Sequence, residues 1–159
     1  MDITITPAKL SGHVTPPPSK SQAHRLLIAA ALAEGESVIS NVAFSQDIEA
    51  TIRCLEELGA RFDIDGPTVT VHGMGANAMS PLRRMAYPHL DCGESGSTLR
   101  FLIPIALAVR GGGIFTGRGR LMERPQKPYF GLFDEKSIFY EQKDGVLTVS
   151  GLLTPGVYR

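Results

Sequence analysis

At 159 residues, 43% of them hydrophobic and 20% charged, the chain is long enough for one ordinary domain with its own core and too apolar for a disordered one. Sixteen Lys and Arg balance sixteen Asp and Glu to a formal net charge of +0, so no global field draws the chain to nucleic acid or an anionic membrane, and any anion chemistry must be local. The longest apolar run, Phe101 to Val109, has about half the length of a bilayer span, Met1 opens no basic-then-apolar leader, and Cys54 and Cys92 form no CxxC pair, so the expectations are cytoplasm, no membrane, no metal and no disulfide framework.

In chain order, "MDITI" and "SGHVTP" read as leading strands. "SQAHRLLIAAALAE", Ser21 to Glu34, carries apolar residues at helical spacing, with Ser21 as a cap and Gly35 at its far end. "ESVISNV" alternates as a short strand. "SQDIEATIRCLEELGA" then sets Ile48, Ile52, Leu55 and Leu58 on one helical face before the stop at Gly59. "RFDID" and "TVTVHG" form a hairpin across Gly66-Pro67. The stretch "MGANAMSPLRRMAYPHLDC" is a connection leading into a strand at "HLDC". A second serine-led helix, "SGSTLRFLIPIALAV", follows, then a strand "GGIFTG", a short helix "QKPYFGLFDEK", and strands "SIFYEQ" and "VLTVSG" around Lys143-Asp144-Gly145.

The order helix, strand, helix, hairpin thus occurs twice. "AALAEGES" aligns with "IALAVRGGG" and "TVTVHG" with "LTVSG", which gives one α/β unit at about 20–73 and a second at about 89–151. Each begins with a helix whose start carries hydroxyls and a nearby arginine. The first N–H groups of a helix lack internal partners and the macrodipole adds positive charge there, so such an end favours an anion. In "PPPSKSQAHR" three prolines stiffen the approach, Lys20 supplies a point charge, and Arg25, one turn after Ser21, supplies a planar fork suited to phosphate. In "DCGESGSTLR", Gly93 and Gly96 let a ligand approach the backbone beside Ser97, Thr98 and Arg100. A third stretch, "GRGRLMERPQKP", holds Arg118, Arg120, Arg124 and Lys127.

Each stretch alone also has a plain reading: a turn and a capped helix for the first two, a solvated charged connection for the third. Neither a GxSxG nucleophile elbow nor a GxxxxGK phosphate loop is present. "RGGG" and "GRGR" lack the net charge and interleaved aromatics of RNA-binding segments. His24 reads as a surface residue, since its sequence neighbours offer no obvious partner.

In this order, a "SKSxxxR" helix start, a "GxxGxxxR" helix start one unit later and an "RxxxRP" loop resemble the amino-terminal part of the 5-enolpyruvylshikimate-3-phosphate synthase family. The resemblance implies an α/β enolpyruvyl transferase fold of two lobes, each built from three βαβαββ-type units. Residues 15–159 would form an incomplete substrate-binding lobe of two units, with 1–14 as leading strands partly belonging to the other lobe. It further implies an enzyme that moves the enolpyruvyl group of phosphoenolpyruvate to shikimate 3-phosphate and releases phosphate, in aromatic amino-acid biosynthesis. Such an enzyme needs no cofactor or metal, is a monomer when complete, and has small-molecule partners rather than nucleic acid or membrane.

By the same resemblance Lys20 is catalytic and contacts both substrates, and Ser21 and Arg25 hold shikimate 3-phosphate. Gly96 and Arg124 hold phosphoenolpyruvate, while Arg100, Ser97 and Asp47 are further positions near the cleft. Two substrates that each bring a phosphate and a carboxylate need such a gathering of cations and N–H donors. Where many members have "GNAGT" this chain has "GESGS", so Glu94 puts a carboxylate where an amide is common. The remaining proton-transferring carboxylates belong to the other lobe, so this chain alone is expected to be inactive. The alternatives are a UDP-N-acetylglucosamine enolpyruvyl transferase, disfavoured by Ser21 after Lys20 and by the absence of cysteine from "RGRLMER", and a non-catalytic phosphate-binding module.

Overall fold

A computed structural model of the chain describes residues 3–4, 6–9, 11–75, 86–153 and 156–157. The expected leading strands at 1–14 lie partly outside the described residues, and those of 1–14 that are described are exposed and in no strand. Most of the connection between the units, 76–85, lies outside the described residues, as does part of the tail after Gly151.

The first unit runs α1 (Lys20–Leu32), β1 (Glu36–Ile39), α2 (Gln46–Leu58), β2 (Arg61–Asp65) and β3 (Thr68–His72). The second runs β4 (His89–Asp91), α3 (Gly96–Arg110), β5 (Gly112–Thr116), α4 (Lys127–Lys136), β6 (Phe139–Lys143) and β7 (Val146–Ser150), with a single 3-10 turn at Leu121–Glu123. Strand order is β1-β3-β2 in one sheet and β4-β5-β7-β6 in the other. β4 and β5 are parallel, joined over α3, and the remaining ladders are antiparallel.

The repeat is visible in the backbone. Gly73 donates to the Gly35 carbonyl and Gly151 to the Gly111 carbonyl, each at 2.9 Å, closing both units with the same bond. The cap of α1 corrects the sequence alignment. Ser19, not Ser21, is the N-cap, its Oγ accepting from the Gln22 N–H, and its counterpart is Ser95 at α3, whose Oγ accepts from the Thr98 N–H. Ser21 is instead the second residue of the helix and is exposed.

Helix ends repeat too. Gly59 closes α2 at φ 116 and Ser137 closes α4 at φ 53, and the next residues, Ala60 and Ile138, both reach back to carbonyls five positions earlier, Leu55 and Phe133. The "LGA" ending missing from α4 is thus replaced by a serine forced into the left-handed region.

One apolar core serves both units. Leu27 and Ala31 of α1, Ile48, Leu55 and Leu58 of α2, and Leu99, Leu102, Ile103 and Leu107 of α3 are buried against Val69, Val71, Phe115, Leu147 and Val149 of the sheets. Burying each large side chain contributes about 1.5–3 kcal/mol, so this shared core fixes how the helices of one unit lie on those of the other.

Pro104 stands inside α3. Lacking an N–H, it leaves the Arg100 carbonyl without its helical donor, and the Tyr129 hydroxyl fills the gap at 2.6 Å. Burial pushes the Tyr129 phenol up, with Arg100 acting in the opposite sense. This bond ties α4, whose Phe130 stacks on Tyr140 at 4.5 Å between centroids, to the third helix.

Candidate functional site

The starts of α1, α2 and α3 converge on a buried chain of hydroxyls. His24 Nδ1 lies 2.8 Å from Thr51 Oγ1, which lies 2.7 Å from Thr98 Oγ1, which donates at 2.7 Å to Ser95 Oγ. The carbonyl of Asp47 lies beside both threonine hydroxyls, at 3.1 Å and 3.3 Å, as an alternative acceptor for their single protons. His24, Thr51, Ser95 and Thr98 are all at most 1% exposed. His24 is therefore a buried residue and not the surface one its sequence neighbours suggested: α1 turns it onto the face of Leu27 and Ala31.

Burial holds the His24 imidazole below its usual range; Asp47 acts to raise it, and Lys20 and Arg25 to lower it. Its Nε2 has no hydrogen-bond partner among the described residues. A neutral ring with its proton on Nδ1 satisfies this arrangement, since Nδ1–H then donates to Thr51 and only a lone pair is left unpaired. The hydroxyl protons can then run in one direction, Thr51 to Thr98 to Ser95.

Around this knot stand the residues singled out in the sequence. Lys20 Nζ pairs with Asp47 Oδ2 at 2.7 Å. Arg25 donates from Nη1 to the Ser21 carbonyl at 2.7 Å, and its guanidinium carbon lies 5.1 Å above the centre of the Phe101 ring. Neither α1 nor α3 has an acidic residue in its first turn, so no carboxylate of its own competes for either helix start.

Gly96 is the first residue of α3, and a Cβ built there would come within 2.9 Å of the Arg124 guanidinium. The basic loop reaches this position because it is anchored. Leu121 is buried beside Gly96, Arg118 donates its backbone N–H to Gly93 at 2.6 Å, and its side chain bonds Asp91 at 3.3 Å. The plain reading of this loop as a solvated connection is thereby replaced by an ordered one. Ser97, Arg100 and Arg124 are exposed, and Arg100 follows Gly96 by one helical turn.

Glu94 is exposed on a cleft of about 340 Å³ that it shares with Gln46, Glu49, Arg53, Gly93 and Arg118. Cys54 and Cys92 are buried as free thiols behind this wall, and a hydrogen bond from the Cys92 thiol to Cys54 together with burial pushes the Cys92 thiol far up. They are structural, not nucleophilic. No group of three or more His, Cys, Asp or Glu among the described residues could hold a metal ion.

A family model described as EPSP synthase (3-phosphoshikimate 1-carboxyvinyltransferase) matches residues 5–144. The chain belongs to the EPSP synthase family. It is 43% identical over 159 residues to the 3-phosphoshikimate 1-carboxyvinyltransferase of Clostridium perfringens strain 13, covering 99% of this chain and 36% of that protein. With the protein of the same name from Clostridioides difficile strain 630 the identity is 44% over 163 residues, covering 99% and 37%. The chain thus spans about a third of the length of these EPSP synthase relatives. The solved EPSP synthase of Acinetobacter baumannii superposes with a TM-score of 0.70 over 88% of this chain and 32% of that one, at 23% identity, and so shares its fold. No helix among the described residues is long and apolar enough to cross a membrane.

Sequence reasoning missed Thr51 and Phe101, and the bond that joins Thr98 to Thr51. Thr98 stands three residues after a cap and Thr51 four after Asp47, at helical spacing from groups they bond, but only the packing of α2 on α3 makes them meet.

Proposed function

We propose that this chain is the part of a 3-phosphoshikimate 1-carboxyvinyltransferase that holds shikimate 3-phosphate and one side of phosphoenolpyruvate. One observation supports this reading above the others: three helix starts bearing Lys20, Arg25, Arg100 and the Gly96–Arg124 contact are gathered at one place by the His24–Thr51–Thr98–Ser95 chain. Four anionic groups on two substrates need such a cluster of preorganised cations and N–H donors.

In this reading Lys20, oriented by Asp47, touches both substrates and is the catalytic residue of this lobe. Ser21 and Arg25 hold shikimate 3-phosphate. The α3 start at Gly96 and the Arg124 fork hold phosphoenolpyruvate, with Ser97 and Arg100 at its border. A substrate hydroxyl adds to the enol carbon as it loses its proton, the adjacent methylene gains a proton to become a methyl, and phosphate then leaves the tetrahedral intermediate as that methyl gives up a proton, which restores the enol double bond. The units at about 20–73 and 89–151 supply two-thirds of a lobe, and residues 1–14 lie partly with the other lobe. The complete protein is a cytoplasmic monomer of aromatic amino-acid biosynthesis, and this chain alone binds without turnover.

A calorimetric titration of shikimate 3-phosphate into the chain tests the reading, with inorganic phosphate and UDP-N-acetylglucosamine as controls at one ionic strength. Saturable, selective uptake lost in Lys20→Ala is the expected result. Equal uptake of all three would instead indicate a general anion binder, and preference for the nucleotide sugar the related transferase.

A further inference from the structure

Arg25 and Phe101 occupy equivalent places in the two units, each the sixth residue after its N-cap serine, Ser19 and Ser95. One copy of the repeat carries a cation there and the other a ring. Packing of the units brings them together, with the guanidinium carbon 5.1 Å from the ring centroid. The same ring meets buried His24 edge-on at 6.4 Å between centroids and 65° between planes, so Phe101 is held from behind as well. The carbonyl of Ser21 takes one N–H of the guanidinium.

We propose that Phe101 is a positioning residue for Arg25, a role that rests on the functional reading above. The physical case is a contrast between two ways of holding a cation. Lys20 is held by a carboxylate, which also neutralises it. No carboxylate pairs with Arg25 among the described residues. A ring face attracts a guanidinium through its quadrupole but takes no N–H donor and cancels no formal charge. Of the five N–H donors of the fork, the Ser21 carbonyl occupies one. The remainder stay free for a phosphate or carboxylate, with the plane of the fork already set, which lowers the ordering cost of binding. Phe101 therefore fixes the direction of Arg25 without competing with the anion.

The test is a variant series at Phe101 read by calorimetry with shikimate 3-phosphate, alone and in an Arg25→Ala background. Phe101→Leu and the unbranched Phe101→Met, which fills similar space, should both weaken binding by about 3- to 30-fold, the range of a cation–π contact between exposed and desolvated limits. Phe101→Tyr and Phe101→Trp should restore it, a rescue that simple loss of core volume does not predict. In the Arg25→Ala background all Phe101 variants should bind alike. The ligand-free protein gives an independent readout: the Arg25 side-chain protons should carry an upfield ring-current shift that vanishes in Phe101→Leu and Phe101→Met.

If Arg25→Ala loses binding while Phe101→Leu and Phe101→Met bind like wild type, the positioning role is overturned and the functional reading stands. If Arg25→Ala binds normally, the functional reading of Arg25 fails even where the ring-current shift is present. Absence of any uptake by the wild-type chain overturns both.

Discussion

Lys20 Nζ and Asp47 Oδ2, 27 residues apart in the chain, meet at 2.7 Å across the starts of the first and second helices. Lys20 is half exposed and Asp47 less so, so the pair orients a charge more than it stabilises the fold; a partly solvated ion pair contributes about 0–1 kcal/mol. Asp47→Asn should therefore leave the urea midpoint nearly unchanged yet weaken shikimate 3-phosphate binding several-fold, as Lys20 loses its fixed direction. A large loss of stability with unchanged affinity would contradict this division.

Gly96 abuts the Arg124 guanidinium, the movable end of a flexible side chain. Gly96→Ala should fold, because Arg124 can yield, but the displaced fork and the added methyl should together lower affinity for phosphoenolpyruvate more than for shikimate 3-phosphate. Parallel calorimetric titrations of the two ligands check this, and equal losses for both would show that the change acts through the whole lobe.

Tyr129 donates to the carbonyl that Pro104 leaves unpaired. Removing the hydroxyl in Tyr129→Phe should cost about 0.5–1.5 kcal/mol, the net value of such a bond. In a Pro104→Ala background the alanine N–H supplies the missing donor, so the same substitution should cost less. Urea unfolding of the four proteins forms a double-mutant cycle, and additive effects would break the proposed link between Pro104 and Tyr129.

Ser137 sits at φ 53, where its counterpart Gly59 sits at φ 116. Glycine adopts this region without the Cβ clash, although it gains freedom in the unfolded chain. Ser137→Gly should stabilise by about 0.5–1 kcal/mol, seen as a higher urea midpoint at constant m-value. A lower midpoint would mean that the serine makes an interaction worth more than its strain.

His24 is held below its ordinary 6.5, chiefly by burial. Its folded value is depressed, so as pH falls below 6.5 the unfolded chain takes up this proton before the native state does. The His24 contribution to stability is flat above 6.5, declines as pH drops toward the folded value, and levels off beneath it. Urea midpoints from about pH 5 to 8 should fall on the acid side in the wild type and fall less in His24→Asn. Parallel acid limbs would mean that His24 is not the group responsible.

Much of the local structure was legible in the sequence because its causes are local. Ser45 and Ser95 announce their helices, Gly59 ends one, and Gly66-Pro67 and Asp144-Gly145 turn the hairpins. The repeat is displaced by two residues only at Ser19, where two serines flank a lysine and either could cap. His24 is legible in principle, since its spacing from Leu27 and Ala31 puts all three on one face, but its sequence neighbours offer no partner because that partner, Thr51, comes from the second helix. Alternation in 1–14 signals a strand, but a strand also needs an edge to pair with, and no described residue of this stretch is in a sheet.

The sequence by itself determined the repeated α/β unit, the helix starts and the identity of the cations there, through periodicity and capping that act over a few residues. Only the tertiary structure decided what those residues face. Whether Lys20 meets Asp47, Arg124 meets Gly96, or Arg25 lies on Phe101 depends on how two units settle on a common apolar core. That packing is fixed by the sum of many small contacts between distant segments, which no short window of the chain contains.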